Sequence, residues 1–83
     1  MQVLYFGWVR SKVGISGEEV EPPPDVTDVQ TLIGWLHKRG GTYAEAFEDL
    51  SAIRVAVNQE MAEFDTAIAK GDEVALFPPM TGG

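Results

Sequence analysis

The clearest pattern of apolar and polar positions lies in residues 27–40. Val29, Leu32, Ile33 and Leu36 recur at i, i+3, i+4 and i+7, which is the buried stripe of one helix. Thr27-Asp28-Val29-Gln30 fits a capping box, with Thr27 as N-cap and Gln30 reaching back. Lys38 and Arg39 suit the negative end of the helix dipole, and Gly40 supplies a C-terminal stop. Residues 43–50 form a second, shorter helical stretch with Ala44, Phe47 and Leu50 turned inward.

The remaining apolar segments have strand character. Residues 3–9 are rich in aromatic and β-branched side chains, and residues 10–13 make a short helical turn ended by Gly14. A more polar strand over residues 18–21 stops at Pro22-Pro23-Pro24, because proline cannot donate to a ladder. Residues 53–57 alternate, and residues 58–60 turn. Residues 61–68 are irregular, with one short strand. Residues 70–72 turn again, and residues 73–77 form the last strand. Strands with a single long helix between them predict an α+β domain, the helix packed across a mixed sheet.

With 83 residues, the chain fits one small domain. It has no cysteine. That excludes a disulfide scaffold, a thiolate metal site, and any persulfide or thioester carried on a side chain. The net charge is −7, from 13 acidic and 6 basic residues. Such a polyanion does not bind nucleic acid by neutralising phosphates. It favours partners with basic surfaces, although the charge also serves solubility alone. No apolar run reaches membrane-spanning length, and no charged-then-apolar leader precedes a cleavage site, so the expectation is a cytoplasmic protein with no membrane partner.

The candidate chemistry is at the C-terminus. The last strand runs into Pro78-Pro79, and Met80-Thr81-Gly82-Gly83 follows. This divides the chain into a domain over residues 1–79 and a flexible tail over residues 80–83. Two glycines carry no side chains, so the terminal carboxylate can pass down a narrow channel into another protein. That carboxylate is ionised at neutral pH and is a poor electrophile. Adenylation by ATP would activate it. A sulfur nucleophile could then displace AMP and leave a thiocarboxylate on Gly83, or an amine could take the acyl group. The chain has no cysteine nucleophile, glycine-rich phosphate loop or evident metal cluster, so the activating chemistry belongs to a partner.

A terminal Gly-Gly alone is a weak signal. Gly71-Asp72-Glu73-Val74-Ala75-Leu76-Phe77-Pro78-Pro79 followed by Gly82-Gly83 is far more specific. Together with Val3-Leu4-Tyr5-Phe6, Val9-Arg10, Ala56-Val57-Asn58-Gln59 and Phe64-Asp65, this ending resembles the small, sulfur-carrying subunits of molybdopterin synthase, over essentially the whole chain. One departure is Leu76, where that family often has an aromatic residue. The resemblance implies a ubiquitin-like β-grasp fold. It implies a chain that is no enzyme alone and holds no permanent cofactor or metal. A partner activating enzyme would spend ATP to adenylate Gly83, and a sulfur donor system would convert the adenylate to a thiocarboxylate. The thiocarboxylate would enter the large synthase subunit, in a heterotetramer of two small and two large chains. There it would sulfurate cyclic pyranopterin monophosphate to the molybdopterin dithiolene. The alternatives are a carrier for thiamine or tRNA thiolation, against which Phe77-Pro78-Pro79 argues, and a ubiquitin-like interaction module with no covalent role.

Partner-binding candidates cluster at the root of the tail: Phe77, Phe6, Met61, Pro78, Pro79 and Thr81. If the last strand alternates, Phe77 faces away from Val74 and Leu76 and lies beside Phe6, with Met61 joining them. Such an apolar patch docks a partner, and the competing reading puts all three in the core. His37 reads as a dipole partner or plain surface. Trp8 and Trp35 read as packing residues, and Arg10, Lys12, Lys38, Arg39 and Lys70 as scattered surface charges.

Overall fold

A computed structural model describes residues 1–79. The strands are β1 (Gln2–Tyr5), β2 (Gly17–Glu19), β3 (Arg54–Val57), β4 (Glu60–Ala62) and β5 (Glu73–Phe77). The helices are α1 (Gly7–Val13), α2 (Val29–His37) and α3 (Gly41–Ala46), with a 3₁₀ turn at Leu50–Ala52. One sheet runs in the order β2-β1-β5-β3-β4. β1 and β5 are parallel neighbours, and every other pair is antiparallel. The sheet is therefore mixed, as expected, and the last strand of the chain lies at its centre.

The helix over α2 bears out its periodicity. Val29, Leu32, Ile33 and Leu36 are all buried against the inner sheet face, where Val3, Tyr5, Val55, Val74 and Leu76 meet them. Each such burial stabilises by about 1.5–3 kcal/mol. The cap differs from expectation by one residue. Asp28, not Thr27, is the N-cap: its Oδ1 accepts from the Thr31 N–H at 2.8 Å, while the Asp28 N–H donates to Thr31 Oγ1 at 3.1 Å. Thr31 thus takes the part assigned to Gln30. The box shifts because Asp28 is also held from outside the helix, by an antiparallel bridge to Ala67.

The larger correction concerns residues 3–9. The strand ends at Tyr5, and α1 begins at Gly7. Two things drive the break. Gly7 adopts φ +57°, a left-handed conformation that glycine takes without penalty. Val9 and Val13 then both turn into the core while Ser11, which a strand would place on the same face, stays exposed with Arg10 and Lys12. The helical turn expected at residues 10–13 and its stop at Gly14 are thus the end of a longer helix, and two short helices stand beside α2. The second of them is shorter than the 43–50 stretch, and of its expected inward residues Phe47 is buried while Ala44 and Leu50 are half-buried.

The hairpin between β3 and β4 turns through Asn58 and Gln59, both at positive φ (52° and 68°). Two such residues make the tight turn whose twist matches the flanking strands. Asn58 also ties the turn to the foot of β5. Its Nδ2 donates to Asp72 Oδ1 at 3.1 Å, and its Oδ1 accepts from the Glu73 N–H at 3.0 Å.

Candidate functional site

β5 leads into Pro78-Pro79 and the C-terminal residues. Val74 and Leu76 are fully buried on the inner face, and Phe77 faces the other way, half-buried. The strand is gripped on both sides, by β1 and β3. At its exit the Phe6 N–H donates to the Leu76 carbonyl at 3.0 Å. The β1–α1 corner then closes on Pro78. A Cβ built on Gly7 would lie 2.7 Å from Pro78 Cγ and 2.8 Å from Cδ, so the glycine backbone and the proline ring are in close contact. Pro78 and Pro79 are half-buried at the root of the tail. Thr81, Gly82 and Gly83 lie outside the described residues.

The outer face of the sheet is the apolar surface beside that root. In register, Leu4 pairs with Ala75, Ala75 with Ala56, and Ala56 with Met61. Leu4, Ala75 and Ala56 are half-buried, Met61 is 70% exposed and Phe6 is 49% exposed. Phe77 lies opposite Arg54 on β3. The three residues singled out from the sequence thus fall on or beside one surface. Phe6 and Met61 are exposed, so the reading that puts them in the core does not hold. The row Leu4-Ala75-Ala56 was not anticipated, because residues of three strands become neighbours only once the register is known. An exposed apolar patch of this kind is a candidate docking surface.

A polar cluster lies under the opposite side of the sheet edge. Glu18 Oε2 accepts from Tyr5 Oη at 2.8 Å and from Tyr43 Oη at 2.7 Å, while Arg39 Nη1 donates to Oε1 at 2.9 Å. The Arg39 guanidinium also stacks 4.7 Å from the Trp35 ring centroid and 5.1 Å from that of Tyr43. Burial pushes the Glu18 carboxyl up, but the donors Tyr43, Arg39 and Tyr5 outweigh it and hold it below the ordinary carboxylate range. Burial, then the Glu18 bond and charge, raise the Tyr5 phenol well above its usual value. Arg39, read from the sequence as a surface charge, is therefore a strut between α2 and β2. This cluster braces the fold. Tyr5 is fully buried, so no substrate reaches it.

His37 lies in the last turn of α2, 3.6 Å from Glu48, and Trp8 and Trp35 pack half-buried against the core. Among the described residues no group of three acidic or histidine side chains could hold a metal ion, and no helix is long and apolar enough to cross a membrane. An open hollow of about 550 Å³, lined by Val20, the three prolines, Val26 and Ile68, lies at the end of the sheet where β5 begins, away from the tail.

A mixed sheet cupping one main helix, with a central last strand that leads out beside an apolar face, defines a ubiquitin-like β-grasp protein of the carrier type. The sequence matches the ThiS family over residues 3–83, and the chain belongs to that family. It is 40% identical to the molybdopterin synthase sulfur carrier subunit of Escherichia coli, over all of this chain and 99% of that one. A solved Pyrococcus furiosus structure, described as molybdopterin converting factor subunit 1, superposes with a TM-score of 0.75 at 31% identity, covering 95% of each chain. The small archaeal modifier protein 1 of Haloferax volcanii superposes with a TM-score of 0.68 at 26% identity, covering 96% of this chain and 97% of that one.

Proposed function

We propose that this chain is the sulfur-carrying small subunit of a molybdopterin synthase, active only with partners and working through the carboxylate of Gly83. The observation that carries this reading is the full-length relationship to a molybdopterin synthase sulfur carrier subunit at 40% identity. The central strand running out at Phe77 towards Gly82-Gly83 supports it.

The chemistry has two stages. In the first, the Gly83 carboxylate attacks the α-phosphate of ATP, held by an activating enzyme, and pyrophosphate leaves. The acyl adenylate is an electrophile where the carboxylate was not. A sulfide-equivalent nucleophile from the donor system adds to the acyl carbon, AMP leaves with the bonding pair, and Gly83 holds a thiocarboxylate. In the second stage the tail enters the large subunit. The sulfur passes to cyclic pyranopterin monophosphate, and water restores the carboxylate. One carrier delivers one sulfur, so a dithiolene takes two deliveries, which suits an assembly of two small and two large subunits in the cytoplasm. Gly82 keeps the arm slim. Phe77, Phe6 and Met61 dock the domain, and Pro78, Pro79 and Thr81 line the way into the channel. One docking face for both the activating enzyme and the large subunit makes the two complexes mutually exclusive, as a shuttle requires.

Intact mass tests the carrier role. With an activating enzyme and sulfur donor supplied, the chain gains about 16 Da as one oxygen is replaced by sulfur. Repeated absence of that species refutes the reading. Deleting Gly83 leaves a folded domain that transfers no sulfur, and retained synthase activity in that variant would remove Gly83 from the chemistry. A second reading follows from the likeness to small archaeal modifier protein 1: the same adenylate could be taken by a lysine amine, forming an amide and releasing AMP. Conjugates of higher mass that survive thiol treatment would favour it.

A further inference from the structure

The outer sheet face has a direction. The register places Gln2 between Glu19 on β2 and Glu73 on β5, at the end where β5 begins. At the other end, where β5 leaves for the tail, Phe77 lies opposite Arg54. Between these ends run only Leu4, Gly17, Ala75, Ala56 and Met61. Arg54 is the one cation among the strand residues of this face. Glu73 and Phe77 are four residues apart, so the two signs of charge are separated by about 13 Å along the strand.

Arg54 is exposed and poorly used by the domain itself. Its Nη1 donates to the carbonyls of Ser51 at 3.3 Å and Ile53 at 3.1 Å. No carboxylate forms an ion pair with it among the described residues, although the chain carries 13 acidic side chains. Even Glu63, which lines a small hollow together with Arg54, makes none. Both hydrogen bonds of Arg54 use Nη1, and its other guanidinium N–H donors make no hydrogen bond among the described residues.

We propose that Arg54 is a specificity-determining residue of the docking face. It pairs with a carboxylate on the large synthase subunit beside the mouth that receives the tail, while Glu73 meets a basic residue at the far end, where Glu19 is already paired with the Met1 ammonium at 3.2 Å. This rests on the docking role given above to Phe77, Phe6 and Met61. Burial of a smooth apolar patch supplies affinity but does not choose an orientation. Opposite charges at its two ends do choose one, because the reversed arrangement brings like charges together. Only one orientation points Pro78-Pro79 and the residues after them at the channel.

The test is binding of the full chain to its large subunit, measured by stopped-flow and calorimetry at low and high salt. Arg54→Glu weakens binding about tenfold at low salt, chiefly through a slower association rate, and the loss shrinks at high salt as the charges are screened. Arg54→Gln loses less, and Glu73→Lys shows the same salt signature as Arg54→Glu. Phe77→Asp, the control for docking itself, abolishes binding. If Arg54→Glu binds within about twofold of the parent at low salt while Phe77→Asp does not bind, the role of Arg54 is overturned. It is equally overturned if the Arg54→Glu loss persists undiminished at high salt, which marks lost packing instead of lost charge. If Phe77→Asp binds normally, the docking reading fails before the question of Arg54 arises.

Discussion

Glu18 shows how one residue can hold three elements. Its carboxylate gathers two phenols and a guanidinium from β1, α3 and the end of α2. Replacing it with alanine leaves the buried Tyr5 hydroxyl without its acceptor. The expected cost is about 1–3 kcal/mol in chemical denaturation. The cluster also sets a pH dependence. Its folded carboxyl titrates below its unfolded value, so its stabilisation is fully present above the unfolded pKa of about 4.3. It is lost as pH falls through the lower, folded value. Melting temperature should therefore drop on acidification below that point. Asp28, Asp49 and Asp72, each held down by hydrogen bonds, contribute in the same direction. In Glu18→Gln the drop should be shallower, and an unchanged slope would remove Glu18 from the account. None of this was legible in the sequence. Arg39 is 21 residues from Glu18, and no spacing rule links a helix end to an edge strand. Gly83 could be proposed from the sequence alone because the chemistry assigned to it needs only a terminal carboxylate and a small neighbour.

At the scale of elements, legibility followed the strength of the local period. The α2 stripe was visible because four buried positions obey one helical spacing. Its cap was misplaced by one because Thr27 and Asp28 are both good N-caps, and only the tertiary bridge to Ala67 decides between them. Asp28→Ala should lower the melting temperature, and Thr27→Ala should lower it distinctly less. The β1–α1 boundary was missed for a different reason. Residues 3–9 have strand composition throughout, and the contrary signal, the polar Arg10-Ser11-Lys12 between Val9 and Val13, begins only after them. The β3–β4 turn makes its own prediction. Gln59 at φ 68° bears a left-handed penalty that glycine does not. Gln59→Gly should stabilise by about 0.5–1 kcal/mol net of the added backbone freedom, and a lowered midpoint in denaturant would contradict this.

For the whole molecule, the architecture was within reach because the order of elements and the C-terminal motif agreed on one fold. The apolar outer face was only half within reach: Phe77 and Phe6 followed from alternation, but Leu4, Ala56 and Arg54 join them only through a register that no single segment encodes. The parallel pairing of β1 with β5 has a consequence for how the protein is made. The first strand to leave the ribosome finds its central neighbour only in the last strand to be translated. Until then, β1 and β3 have no common partner and the sheet has a gap at its middle. Folding of the sheet therefore waits until β5 has cleared the ribosome. Nascent chains stalled before residue 73 should be digested by protease, and those extended past residue 79 by a linker that clears the exit tunnel should resist. A prematurely terminated carrier would never present a competent surface to compete for the synthase.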